Sequence, residues 1–159
     1  MDAVKRRVVK TLVGKLTSAS EQTRTEAICE LHLLSKNDPE TRPLIADADA
    51  VPLIAESLYS PSPILQENAA AALLNLSISS KDHLILSRGV LDALSHALRH
   101  PASPSMAQLS AMAIFSLLSV ESFRPIIGHK RDIIFGLVEI VRGRCSGWRC
   151  TRCSGRRWW

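Results

Sequence analysis

One pattern recurs three times along this chain at a spacing of 42 residues. Ala27, Ile28, Leu31, Leu34 and Ser35 are followed by Ala69, Ala70, Leu73, Leu76 and Ser77, and then by Ala111, Met112, Phe115, Leu118 and Ser119. Self-similarity at a period of about 40–47 residues marks a helical solenoid, in which each unit buries its apolar face only against its neighbours. Within each set the residues fall three and four apart, which is one face of a helix. Each set is therefore expected to be the buried face of a long helix. Such an array is a surface for holding other proteins, so binding is expected ahead of chemistry.

The rest of each unit follows one plan. Val51, Ile54 and Leu58 lie on one side of a helix, and Ser60-Pro61-Ser62-Pro63 then breaks the chain. Residues 65–78 are rich in Ala and Leu, strong helix formers, and Ala69–Ala72 are small enough to let neighbouring helices approach. Ser79-Ser80-Lys81-Asp82 is a turn, and a short apolar helix over 83–87 runs into Gly89. Val9, Leu12 and Leu16 precede Val51, Ile54 and Leu58 by 42 residues, and Leu91, Leu94 and Leu98 follow them by 40. The longer loop 100–104 is expected to restore the spacing to 42. A short connector recurs as Arg42-Pro43-Leu44-Ile45, His83-Leu84-Ile85 and Arg124-Pro125-Ile126-Ile127. The units expected are 4–48, 49–89 and 90–130, with a partial fourth at 131–141 whose Ile133, Ile134, Leu137, Val138 and Val141 lack a long helix to cover them.

Composition excludes several classes. Six arginines, at 142, 144, 149, 152, 156 and 157, fall in the last eighteen residues, where there is no acid. The net charge of +5 belongs to that tail, because the preceding body holds 14 basic against 15 acidic residues. A nucleic-acid binder needs a basic face on its folded domain, so none is expected here. No apolar run approaches the roughly 20 residues that cross a bilayer; 133–141 is short and carries Glu139. Asp2 and the cluster Lys5, Arg6, Arg7 and Lys10 do not read as a secretory signal, so an intracellular protein is expected, cytoplasmic or nuclear. The tail 142–159 holds all three tryptophans and three of the four cysteines. Arg, Gly, Cys and Trp share guanine-rich codons, so the tail reads as a misframed or unspliced extension, expected to be disordered.

The run Gln66-Glu67-Asn68-Ala69-Ala70-Ala71-Ala72-Leu73-Leu74-Asn75-Leu76-Ser77-Ile78 resembles the third helix of an armadillo repeat. Residues 31–36 and 114–120 fit the same template, and 20–143 resembles the armadillo domains of plant U-box ubiquitin ligases and their relatives without a U-box. The resemblance implies an all-α, armadillo-type right-handed α-solenoid of about three repeats plus a truncated fourth, with the third helices lining a concave groove. The U-box, which in that family docks the ubiquitin-conjugating enzyme, is not found in these 159 residues. The function expected is a non-catalytic scaffold that binds a protein partner in the groove. The alternative is the substrate-recognition part, or a degenerate relative, of a U-box ligase; an incomplete gene product is a third reading.

The groove residues implied are His32, Leu33, Lys36, Glu67, Asn68, Ala71, Asn75, Ile78, Ala113, Ser116, Leu117 and Val120. Armadillo grooves resembling those of nuclear-import receptors grip an extended peptide with a ladder of Trp and Asn. Here the Asn position is expected to hold Leu33, Asn75 and Leu117, and the Trp position Cys29, Ala71 and Ala113. One amide rung does not hold an extended backbone, so Asn75 is a single polar contact beside an apolar strip of Leu33, Leu117 and Val120.

No cofactor or metal is expected. His96 and His100 lie four apart on a helix, a spacing that suits one metal, but no carboxylate motif accompanies them and they read as surface histidines. Cys145, Cys150 and Cys153 supply three thiolates where structural zinc takes four ligands, with His129 a distant fourth. Cys29 reads as a small helical residue, and disulfides are not expected in an intracellular chain. There is no Gly-rich phosphate loop, nucleophile elbow or paired-carboxylate signature, so no catalytic residue is assigned. Lys5-Arg6-Arg7 reads as a solvated helix face rather than an import signal.

Overall fold

In the computed structural model, residues 2–143 are described, and among them there are helices and no strands. Ten α-helices follow in order: α1 (Asp2–Leu16), α2 (Glu21–Asn37), α3 (Thr41–Asp47), α4 (Ala50–Glu56), α5 (Pro63–Ser79), α6 (Lys81–Leu86), α7 (Val90–Arg99), α8 (Pro104–Leu118), α9 (Arg124–Gly128) and α10 (Arg131–Val141). The cycle is short helix, middle helix, long helix. It is complete twice, as α3–α4–α5 and α6–α7–α8. The units expected from the sequence run through this same cycle but begin it at the middle helix. The tail lies outside the described residues, apart from Arg142 and Gly143.

Sequence chemistry sets the helix ends. Ser20 and Ser103 cap α2 and α8, each side chain accepting an amide N–H, from Thr23 and Met106. Ser62 occupies the same position before α5, and Pro63 and Pro104 open α5 and α8, where a missing N–H costs nothing. Gly89 takes φ 80° where α6 turns into α7, a left-handed conformation that glycine adopts without strain. The long helices pack in series, α2 on α5 and α5 on α8. One continuous core runs beneath them, from Val9, Leu12 and Leu16 of α1 to Ile133 of α10. Ala69–Ala72 of the central helix are all buried between their neighbours.

The expected buried face holds in α2 and α5 but not in α8. Ala27, Ile28 and Leu31 are buried, as are Ala69, Ala70, Leu73, Leu76 and Ser77. In α8 the buried residues are Met106, Ala107, Ser110, Ala113, Ile114 and Leu117, whereas Met112 and Phe115 are exposed by 48% and 77%. These match Leu65, Gln66, Ala69, Ala72, Leu73 and Leu76 at a spacing of 41, not 42. The loop before α8 recovers only part of the shortfall left by α7, because Ser103-Pro104 starts the helix 41 residues after Ser62-Pro63. One residue turns a helix by about 100°. That is enough to move Phe115 out of the core and Ile114 into it.

The short helices also align differently from expectation. Each buries one large aliphatic anchor: Ile45 in α3, Leu84 in α6 and Ile127 in α9. Counting from those anchors, the residue equivalent to Arg42 and Arg124 is Lys81, not His83. At the far end α10 buries Ile133 and Gly136 and leaves Ile134, Phe135, Val138 and Val141 exposed.

Candidate functional site: the face of the three long helices

With a spacing of 42 and then 41, the exposed face of α2, α5 and α8 resolves into rows. The Trp-position row holds Cys29, Ala71 and Met112. The next holds His32, Leu74 and Phe115, then Leu33, Asn75 and Ser116, then Lys36, Ile78 and Ser119. Leu33 and Ile78 are 52% and 55% exposed. Together with Met112 and Phe115 they present four large apolar side chains to solvent on one face.

Of the residues expected in the groove, Leu33, Lys36 and Ile78 are exposed, and His32, Glu67, Asn68, Asn75, Ser116 and Val120 are half-buried. Val120 packs against the edge of the core beyond α8. Ala71 is buried. Ala113 and Leu117 are fully buried and do not face the groove, as the 41-residue spacing requires. By that spacing Met112 and Ser116 take those places, and Phe115, aligned with His32 and Leu74, is exposed beside them. The repeated Ser-Pro pair at the start of α5 and α8 was the signal in the sequence that could have revealed them.

The polar groups between the helices are largely committed to one another. His32 Nδ1 donates to Asn68 Oδ1 at 2.9 Å, a direction that follows from the Asn68 amide N–H being given to the Ile64 carbonyl at 2.8 Å. Asn75 Nδ2 donates to the Ser35 hydroxyl at 3.0 Å, which in turn donates to the His32 carbonyl. Ser116 Oγ donates to the Ser77 carbonyl at 2.9 Å. The Ser103 hydroxyl donates to Glu67 Oε1 while capping α8. Glu67 is thus a strut between the second and third long helices. Asn75 keeps its carbonyl oxygen without a partner among the described residues, so it retains hydrogen-bonding capacity toward the groove.

The remaining candidates lie elsewhere. The His96 and His100 rings lie 5.2 Å apart, tilted by 47°, and the Tyr59 ring lies 4.7 Å from His96. His96 is half-buried rather than a free surface residue: its Nδ1 is buried without a partner. Burial, and then the neighbouring His100, push the His96 pKa below its ordinary value. Among the described residues no group of three or more His, Cys, Asp or Glu side chains is placed to hold a metal ion. The cysteines of the tail lie outside the described residues. Burial pushes the Cys29 thiol up, away from the reactive thiolate. Lys5 bonds Asp38 at 2.7 Å and Glu40 at 2.9 Å, pinning α1 to the turn before α3, while Arg6 and Arg7 are exposed. The hydrogen bond to Lys5 draws the Asp38 pKa down. No single helix among the described residues is long and apolar enough to cross a membrane.

A stack of three-helix units on one core, presenting its long helices as a continuous face, defines an armadillo-type helical solenoid. The armadillo/beta-catenin-like repeat matches residues 38–78, which are α3, α4 and α5 with the turn before them. The chain resembles plant U-box proteins over most of its length. It is 32% identical over 137 residues to U-box domain-containing protein 16 of Arabidopsis thaliana, covering 85% of this chain and 20% of that protein. It is 46% identical over 71 residues to U-box domain-containing protein 4 of the same plant, covering 45% of this chain and 9% of that protein. The chain spans about a fifth or less of the length of these curated relatives. Two crystal structures of engineered proteins from the Northeast Structural Genomics Consortium share the fold. Each has a TM-score of 0.66, at 23% and 22% identity; they cover 80% and 87% of this chain, which in turn spans 51% and 55% of theirs.

Proposed function

We propose that this chain is a non-catalytic scaffold that binds a protein partner through the face of α2, α5 and α8. Armadillo repeats generally mediate protein–protein interaction. The observation that carries the reading to this face is its set of exposed apolar side chains, Leu33, Ile78, Met112 and Phe115, one from each of the four rows, on helices whose own cores are already filled. Asn75, in the row of Leu33, supplies a directional contact. A second reading follows from the relatives: the chain is the substrate-recognition part, or a degenerate relative, of a U-box ubiquitin ligase. An intracellular setting, cytoplasmic or nuclear, accompanies both.

The test compares affinity capture by the wild type, by the double variant Leu33→Ser/Phe115→Ser, and by the control Glu56→Ser. Glu56 is exposed at the end of α4. Proteins retained by the wild type and the control but lost by the double variant are expected. Equal retention by all three would remove this face from the binding reaction.

A further inference from the structure

The exposed apolar side chains of this face are bordered along one edge by cations that no carboxylate among the described residues neutralises. Lys36 stands exposed in the last turn of α2. Arg42 lies between the ends of α2 and α5: its Nε donates to the Ser35 carbonyl at 2.7 Å and its Nη1 to Ser79 Oγ at 3.2 Å. Lys81 lies between α5 and α8, with Nζ donating to Ser119 Oγ at 2.6 Å. Arg124 closes the series, with Nε donating to the Leu118 carbonyl at 3.1 Å. Arg42, Lys81 and Arg124 are the equivalent residues of successive short helices, so the edge is a repeated feature of the solenoid.

Among the described residues none of these four cations is within ion-pair distance of an acid. The pairs that do form are Lys5 with Asp38 and Glu40, His83 with Asp47, Arg99 with Asp132, and Lys130 with Asp92. Asp82 and Glu121, adjacent in sequence to the edge, are exposed and among the described residues pair with no basic group. Three helix C-termini supply about half a negative charge each, which leaves much of the edge uncompensated. Three of the exposed apolar residues lie close to this edge. Leu33 is one turn from Lys36, Ile78 precedes the Ser79 that Arg42 bonds, and Phe115 is one turn from the Ser119 that Lys81 bonds.

We infer that the groove takes an acidic amphipathic helix of its partner, with Leu- or Phe-type residues on Leu33, Ile78, Met112 and Phe115 and Asp or Glu against Lys36, Arg42, Lys81 and Arg124. This deepens the groove reading and rests on it. A helix fits better than a strand, because the face has no sheet edge to extend and the row Leu33, Asn75, Ser116 carries a single amide. Three helices spaced about 9 Å apart offer roughly 20 Å of track, which a helix of about 14 residues spans.

The test pans a random peptide library on phage against the full chain, then measures the enriched peptides by fluorescence anisotropy. Enrichment of Asp and Glu flanking apolar residues spaced three and four apart is expected. Lys36→Glu/Lys81→Gln should weaken the best such peptide by about tenfold, and added salt should weaken wild-type binding. Lys81→Gln keeps a side-chain N–H donor without the charge, and an unchanged melting curve confirms the fold. Enriched peptides that are basic or without charge bias, or acidic ones indifferent to Lys36→Glu/Lys81→Gln, overturn the inference. If those peptides are lost on Leu33→Ser/Phe115→Ser, the groove reading survives alone. If they bind that variant as tightly as wild type, or if no binder is recovered, both fall.

Discussion

Ile114 and Phe115 are neighbours on α8 with opposite fates: the first is wholly buried and the second is mostly in water. Deleting a buried aliphatic side chain costs its transfer energy plus that of the cavity left behind. Ile114→Ala and the equivalent Leu73→Ala should therefore each lose about 2–5 kcal/mol. Phe115→Ala removes an exposed ring and should stay within about 0.5 kcal/mol of wild type. Urea unfolding of the three variants checks this. A large loss for Phe115→Ala with little for Ile114→Ala would return the buried face to a 42-residue spacing. Asn75→Ala belongs to the same scale. Its amide bonds only the Ser35 hydroxyl across a half-buried gap, so a stability change of about 1 kcal/mol or less is expected in thermal melts.

At the scale of elements, α7 and α10 illustrate how adjacent units dock. Two reciprocal ion pairs, Arg99–Asp132 and Lys130–Asp92, bracket the contact, and Arg99 lies 5.7 Å from the centre of the Phe135 ring. Between them Gly136 sits so close that an added Cβ would meet Leu98 Cβ at 2.9 Å. Alanine is the better helix former by about 1 kcal/mol, yet overpacking typically costs about 1–3 kcal/mol. Gly136→Ala is thus expected to lower the melting temperature despite its propensity; a raised one would show that α10 shifts freely.

The other helix of this pair, α7, carries a pH dependence. The Tyr59 and His100 rings lie tilted against His96, and Asp92, Arg99 and Asp132 line the neighbouring cavity. Because the folded pKa of His96 is depressed, the unfolded chain binds the proton more readily. Its contribution to stability is present above the ordinary histidine pKa near 6.5 and is lost as pH falls below it. His96→Gln should flatten the fall in stability between about pH 7 and pH 5. Asp38, whose pKa is lowered, acts only at still lower pH, so the windows are separable. An unchanged slope in the variant would assign the dependence elsewhere.

At the scale of the whole molecule the chain is a face with a filled core behind it, and the described residues carry no constellation built for group transfer. Mixed with activating enzyme, conjugating enzyme and ubiquitin, the 159-residue chain is expected to build no ubiquitin chains. Gel analysis of the reaction would decide. Robust autoubiquitination would demand a surface for the conjugating enzyme within these residues.

Period, helix type and most of the core were legible in the sequence, because a solenoid repeats locally. Helix-forming runs, Ser-Pro starts and aliphatic residues three and four apart are short-range signals, and each unit contacts only its neighbours. Asn75, Leu33 and Ile78 could be placed on the open face for the same reason. The rotation of α8 was latent in the sequence too: a helix face turns by about 100° for each residue of loop, and the 41-residue spacing of the Ser-Pro starts places Ile114, not Phe115, in the core. What only the tertiary structure decided was the partners of the polar groups. The basic edge likewise emerged only when the buried anchors Ile45, Leu84 and Ile127 set the alignment of the short helices. Whether a cation stands alone or is paired depends on neighbours more than thirty residues away in sequence, as Lys5 and Glu40 are, and periodicity carries no record of those distances.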